Sequence, residues 1–322
     1  IHNCLINLIS DSPSIESIYN VNKGRYNFFD KKNYLKSKVD LSKISVIKKV
    51  EKKNKNNLDD ILSNDVFESI KLNYLQNKKT LIFTPFSKDI TSINNSLKLI
   101  NNNIKIFSLS QSTILSRKNL EDFLININEY DVLIGSYSVI DSFESFNYSL
   151  IALINPDKIS NSTNYKANEI YFQLIFKLIR KVNIDGNKKL IAQLFNQNNK
   201  SFSEYIRREY KDITADEMRE RKLFEYSPYK RLISIEIVNK TKKELEGIGK
   251  MIFKELSDKL NFCILTDVGI TKNRNKIFYR IYLKLDRIRN LSINKENIYK
   301  AVNNLNNKKA YSSSQITIDI DP

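Results

Sequence analysis

The chain has 322 residues, 53 of them Lys or Arg against 36 Asp or Glu, for a net charge of +17. That length fits two domains, each able to bury its own core, and the positive excess favours a polyanionic partner, nucleic acid first, although a Lys- and Asn-rich composition accounts for the same excess. Two distant cysteines, Cys4 and Cys263, and one histidine, His2, exclude a disulfide framework, leave zinc unexpected for want of ligands, and deprive histidine-based hydrolysis of its base.

No apolar run approaches the roughly 18 to 20 residues of a membrane span, and the first residues lack a charged leader, so a cytoplasmic, reducing setting without a membrane partner is expected. The run Leu5 to Ile9 reads as an apolar strand, and with no initiating methionine the expectation is a fragment of a longer protein. The stretch from Val39 to Asn57 is dense in lysine, asparagine and serine and reads as a connector.

Alternating elements follow. Leu58 to Leu75 carries Ile61, Leu62, Val66, Phe67 and Ile70 at helical spacing. Short apolar runs at Thr80 to Thr84, Lys105 to Leu109, Asp131 to Gly135, Leu150 to Ile154 and Lys189 to Leu194 predict strands. Helices are predicted over Ser92 to Leu99, Arg117 to Ile127 and Asn168 to Lys181. Strands interleaved with helices argue for a parallel sheet covered on both faces, the α/β layer architecture.

From Ser201 to Lys222 charge dominates and the segment reads as a solvated linking helix or helix pair. The remainder reads strand (Arg231 to Val238), helix (Lys242 to Leu260), strands (Phe262 to Val268, Lys276 to Leu285), helix (Lys295 to Asn306) and strand (Gln315 to Ile320). That βαββαβ order is the ferredoxin-like α+β arrangement. On the second of its hairpin strands, alternation puts Phe278, Arg280, Tyr282 and Lys284 on one face and Tyr279, Ile281, Leu283 and Leu285 on the other. The second set is expected in the core, and the first, with Arg287 and Arg289 in the turn beyond, forms the candidate DNA-binding surface, because cations beside aromatic rings suit phosphates and unstacked bases.

Several short motifs stand in a fixed order. Ser10-Asp-Ser-Pro-Ser-Ile-Glu-Ser17, then Tyr19-Asn-Val and Gly24-Arg-Tyr26, resembles the SATPS-x-ES and NV-x-x-GRY motifs of PriA-type helicases (primosomal protein N′, replication restart). Ile134-Gly135-Ser136 is similar to the IGT of helicase motif V, Leu150 to Asp157 to the family's LVALLD-x-D strand, and Tyr165 to Glu169 to its FRASE. Tyr226-Ser-Pro-Tyr229 stands where a PP-aromatic turn opens the C-terminal domain, and Ile318-Asp-Ile-Asp-Pro322 resembles the closing D-x-DP.

The resemblance implies four regions. Residues 1–57 would be the end of a first helicase lobe and a connector, 58–200 a second RecA-like lobe with a parallel sheet, 201–223 a helical linker, and 224–322 the DNA- or partner-binding domain. It also implies forked or single-stranded DNA, the tail of single-stranded-DNA-binding protein and primosome proteins as partners.

The nucleotide chemistry of the family is poorly preserved. Phosphoryl transfer needs cations against the developing charge, yet an ungapped frame puts the family's QVAGRAGR over Lys177 to Ile184, so its two arginine positions hold Lys181 and Ile184. Neither supplies an arginine fork. A frame shifted to begin at Gln173 keeps Lys177 and Arg180 but needs a gap and loses both glycines. In motif V, Gly135 and Ser136 remain as nucleotide-side candidates, whereas the lysine that follows has become Asp141, a carboxylate repelled by phosphate. Pro85-Phe-Ser-Lys88 replaces the NRRG turn, and the cysteine-rich zinc module expected after it is missing. No catalytic residue is assigned, and ATP enters only if preceding sequence carries a Walker motif. The resemblance leaves a restart scaffold without ATPase activity as the first reading, an active ATP-dependent 3′-to-5′ helicase as the second, and a remnant with a packing role as the third.

Overall fold

The computed structural model describes residues 6–29, 40–48, 61–109, 125–136, 146–162, 164–184, 187–196, 200–239, 241–261, 263–273, 276–287, 291–306 and 314–321. In chain order the elements are α1 (Ile15–Asn22), β1 (Ile44–Lys48), α2 (Asn64–Leu75), β2 (Lys79–Phe83), α3 (Ser87–Lys98), β3 (Ile106–Leu109), β4 (Val132–Gly135), β5 (Tyr148–Ile154), α4 (Ala167–Ile184), β6 (Lys189–Leu194), α5 (Ser201–Tyr205) and α6 (Tyr210–Leu223). They continue with β7 (Lys230–Val238), α7 (Lys242–Lys259), β8 (Cys263–Asn273), β9 (Lys276–Asp286), α8 (Leu291–Asn306) and β10 (Gln315–Ile320). Two compact units result: residues 1–13 with 29–213, and 14–28 with 214–322.

The first unit is α/β, as the sequence predicts. Its six strands run parallel in the order β1-β6-β5-β2-β4-β3. Because side chains alternate along a strand, Leu81, Phe83, Leu133, Ile151 and Leu153 pack on one face with Tyr171, Leu174, Ile175 and Leu178 of α4. Ile82, Ile134, Ala152 and Ile154 pack on the other with Val66 and Ile70 of α2 and Ile90, Ile93 and Leu97 of α3. Strands buried on both faces explain the continuous apolar runs.

Three local features differ from the sequence expectation. The connector contains an edge strand, β1, held by parallel pairing of Ile44 to Lys48 with Leu190 to Leu194. Residues 6–10 are not a strand, and Ile6, Leu8 and Ile9 are exposed, since no partner ladder for them exists among the described residues. The first helix of the lobe starts at Asn64, not Leu58, where Ser63 caps it by accepting the Val66 N–H at 3.5 Å. The helix expected from Arg117 lies almost entirely outside the described residues.

The charged segment at 201–223 is a helix pair that keeps Arg207, Arg208, Lys211 and Arg219 exposed but buries one face. Phe202, Ile206, Tyr210 and Ile213 are buried, and Arg221 is only 2% exposed. Helical spacing shows the Glu217 partner of Arg221 but not Glu16, which comes from 205 positions away.

The second unit holds an antiparallel sheet in the order β10-β7-β9-β8, with α7 and α8 packed on one face. This is the expected ferredoxin-like order. Ile233, Ile235 and Ile237 of β7 and Tyr279, Ile281, Leu283 and Leu285 of β9 face Leu245, Ile248, Ile252 and Leu256 of α7 and Ile298 and Ala301 of α8. Gly249 permits the close approach of α7, since a Cβ there would lie 2.3 Å from the Tyr279 ring. Among the described residues no helix is long and apolar enough to cross a membrane, and no cluster of His, Cys, Asp and Glu is arranged to hold a metal ion.

Candidate functional site

In the first unit the residues of the shifted frame meet the chain's opening motif. Gln173, Lys177 and Arg180 fall at i, i+4 and i+7 on α4 and therefore share a face. Gln173 Nε2 donates to the Ser12 carbonyl at 3.2 Å and to Glu169 Oε1 at 3.3 Å. Arg180 forms an ion pair with Asp11, which stands where the resembling motif has alanine. Burial lowers the Lys177 ammonium pKa and the neighbouring Lys181 adds to the effect, with Asp11 opposing both. The Tyr210 hydroxyl donates to the Pro13 carbonyl at 2.6 Å, and its burial pushes the phenol up.

Where the family has glycines in this frame, Phe176 and Ile179 keep α4 unbroken. Ile179 is buried in the core, and Phe176 stacks edge-on against Tyr210 at 5.0 Å between ring centres. The other frame is placed differently: Lys181 sits in the last turn of α4, and Ile184 ends the helix with its side chain outside the described residues. Asp141 also lies outside them. Gly135 is buried at the end of β4, where its carbonyl accepts the Thr84 N–H at 3.0 Å, and Ser136 follows at the strand's carboxy end.

In the second unit the strand alternation brings Arg280, Tyr282 and Lys284 onto the sheet face opposite the helices. Arg280 donates through Nε to Glu236 Oε1 at 2.9 Å and also pairs with it through Nη2. Its guanidinium lies 4.7 Å from the Phe278 ring centre and 5.7 Å from that of Tyr282. Phe278 was expected on the exposed face but is buried. Lys284 Nζ donates to the Phe224 carbonyl at 2.6 Å and sits 4.1 Å over the Tyr226 ring, and burial lowers its pKa.

Arg287 belongs to a separate network. It donates to Ser227 Oγ at 2.9 Å and lies 3.6 Å from Asp321. Burial first, then the charge of Arg231, lowers its pKa. Arg231 pairs with Asp321 at 2.7 Å, while Ser227 Oγ donates to Glu16 Oε1 at 3.3 Å. Arg221 Nη1 reaches Glu16 Oε1 and the Ser227 carbonyl, each at 3.4 Å, and its Nε donates to Glu217 at 2.8 Å. Three short motifs from different parts of the sequence, around Glu16, Ser227 and Asp321, thus converge on one network. Arg289 lies outside the described residues.

Sequence reasoning missed Asp11 and Glu16 as partners. For Asp11 the available signal was the shifted frame, whose Gln, Lys and Arg have helical spacing; nothing local in the sequence pairs Glu16 with Arg221.

No protein-family model matches the chain. It is 23% identical over 127 residues to replication restart protein PriA of Thermotoga maritima, a match covering 39% of this chain and 17% of that protein. It is 26% identical over 167 residues to replication restart protein PriA of Rickettsia felis, covering 51% of this chain and 26% of that one. The chain therefore spans about a quarter or less of the relatives it matches. Among solved structures it is similar to RecG bound to a three-way DNA junction (TM-score 0.39, 12% identity, 56% of this chain and 22% of that chain). It is also similar to the C-terminal domain of the DEAD-box protein Dbp5 (TM-score 0.32, 13% identity, 52% of this chain and 84% of that one).

Proposed function

We propose that the chain is part of a replication-restart protein that binds forked or single-stranded DNA and recruits primosome or helicase-loading partners without turning over ATP. The observation that carries this reading is the partial similarity to two PriA proteins, both named for replication restart. The motif order from Ser10 to Pro322 and the net charge of +17 support it. On this reading Arg280, Tyr282 and Lys284, with Arg287 and Arg289 beyond them, contact DNA, and the same unit receives the acidic tail of single-stranded-DNA-binding protein. The absence of turnover rests on Asp141 and, in the ungapped frame, Ile184 at positions that need cations; the shifted frame keeps Lys177 and Arg180 but puts Phe176 and Ile179 where the family has glycine.

A second reading, an active 3′-to-5′ helicase, is favoured by one arrangement: Gln173, Lys177 and Arg180 share a helix face against the opening motif. Phosphate release on forked DNA separates the two. DNA binding without stimulated release supports the scaffold, and robust stimulated release supports the helicase. Weak, salt-insensitive DNA binding removes both.

A further inference from the structure

The carboxy ends of three adjacent parallel strands, β6, β5 and β2, carry an exposed arrangement that neither reading uses. Phe86 follows β2 and is 38% exposed, and Phe195 follows β6 and is 47% exposed. Lys158 follows β5, the strand between them. Its ammonium lies 4.3 Å from the Phe195 ring centre and 5.9 Å from that of Phe86, and Lys88 lies 5.5 Å from Phe86. Two rings with interleaved cations therefore line the carboxy end of the sheet.

Their presentation is built into the backbone. Asn155 takes a left-handed conformation (φ 52°) and receives a bond from buried Gln193 at 3.1 Å, turning the chain sharply after β5. Asp157 is then wholly buried, and its two carboxylate oxygens accept the N–H groups of Phe195 and Asn196 at 2.9 and 2.7 Å. Adjacent residues thus divide the work: Asp157 pins the backbone of Phe195, and Lys158 lies over its ring. Asp89, the acidic residue in the first turn of α3, is also buried. The carboxylates are withdrawn while the cations and rings remain toward solvent.

Topology places this end where ligands gather. The helix after β2, α3, covers one face of the sheet, and the helix after β5, α4, covers the other, although β2 and β5 are neighbours. Divergence of the following helices opens a crevice outside the strand ends at a topological switch point.

We propose that Phe86 and Phe195, with Lys158 and Lys88, form a stacking platform for unpaired bases of single-stranded nucleic acid, the lysines taking the flanking phosphates. Every base offers a ring face and every linkage a charge, so such a surface binds with little sequence preference. A lysine over an exposed ring is held weakly, and a base displaces it at a net gain because stacking is the stronger contact. The inference rests on the reading of the chain as a DNA-binding protein and adds a contact in the first unit that is independent of the strand face in the second.

The test measures binding of the full chain to a labelled oligothymidylate and to an abasic strand of equal length. Phe86→Ala and Phe195→Ala should each weaken oligothymidylate binding on the order of tenfold and leave the abasic strand unaffected, and Phe195→Trp should keep affinity. Lys158→Ala should lower the slope of log affinity against log salt by about one on both strands. Unchanged oligothymidylate binding in the double Ala variant overturns the platform but not DNA binding. Equal loss on both strands overturns stacking. Displacement of the strand by free ATP, lost in the same variants, would make this end of the sheet a mononucleotide site instead. No binding by the unaltered chain overturns the functional reading together with the platform.

Discussion

Glu16 and Arg221 meet across 205 positions of sequence, with Nη1 3.4 Å from Oε1, and the guanidinium is almost wholly buried. Glu16 is part of the Ser10 to Ser17 motif and Arg221 of α6, so the pair fixes α1 within the second unit. Removing Arg221 strands the buried carboxylate of Glu217, its other partner, which costs more than the intact pair contributes. Arg221→Ala is expected to destabilise the second unit by about 3 to 5 kcal/mol, read as a lower urea midpoint. Arg221→Lys is expected to recover little, because an ammonium cannot reach Glu16, Glu217 and the Ser227 carbonyl as the planar fork does.

The same unit offers a steric test. A Cβ on Gly249 would sit 2.3 Å from the Tyr279 ring, and that ring is anchored by its hydroxyl, which donates to Asp267 Oδ2 at 2.6 Å. The ring cannot swing aside without breaking this bond. Gly249→Ala is expected to cost about 1 to 3 kcal/mol despite its better helix propensity, measured by thermal unfolding. Gly247→Ala on the same helix meets nothing within 4 Å and is expected to be neutral or stabilising.

What the sequence reveals follows from the range of the interactions involved. Strand β6 falls at Lys189–Leu194, as its apolar run predicts, because a strand buried on both faces writes its burial into consecutive residues. Strand β1 is hidden among lysines: at the sheet edge three apolar residues suffice, and pairing with β6 supplies the rest. The βαββαβ order was legible because each element there is amphipathic in its own right. The site was less so. Arg280 reads as a free cation along β9, yet its carboxylate partner, Glu236, is on β7, and only the register that aligns the two strands brings them together. Arg221 reads as a solvated i,i+4 partner of Glu217, because Glu16, its second carboxylate, lies far outside any local window.

Alkaline pH should weaken the first unit through Tyr210. Burial raises its phenol pKa above the ordinary value of 10 in the folded state. Below about pH 10 the group is protonated in both states and its contribution is fully present. Above that the unfolded chain ionises first, so stability falls with rising pH until the folded phenol also ionises. Urea midpoints at pH 8 and pH 11 should differ, and Tyr210→Phe should reduce the difference, since it removes both the ionisation and the bond to the Pro13 carbonyl. An equal difference in the variant would place the alkaline effect elsewhere.

Glu236 and Arg280 provide the test of the strand face in the second unit. Arg280 is held by a carboxylate on the neighbouring strand, so any phosphate that it contacts must share it with Glu236. Replacing Glu236 by Gln keeps the shape, removes one negative charge and frees the guanidinium. If the face tracks the DNA backbone, Glu236→Gln tightens binding to forked DNA and steepens the slope of log affinity against log salt by about one, the contribution of one additional neutralised phosphate. Arg280→Gln should do the opposite, weakening binding and flattening the slope by about one. Tyr282→Ala should weaken binding by about 1 to 3 kcal/mol with the slope unchanged, because a stacked base carries no counterion release. Salt titrations of the full chain and the three variants, monitored by anisotropy, measure all of these. A Glu236→Gln variant with unaltered affinity and slope would show that Arg280 serves only to join β7 to β9, leaving the DNA contact to other surfaces of the chain.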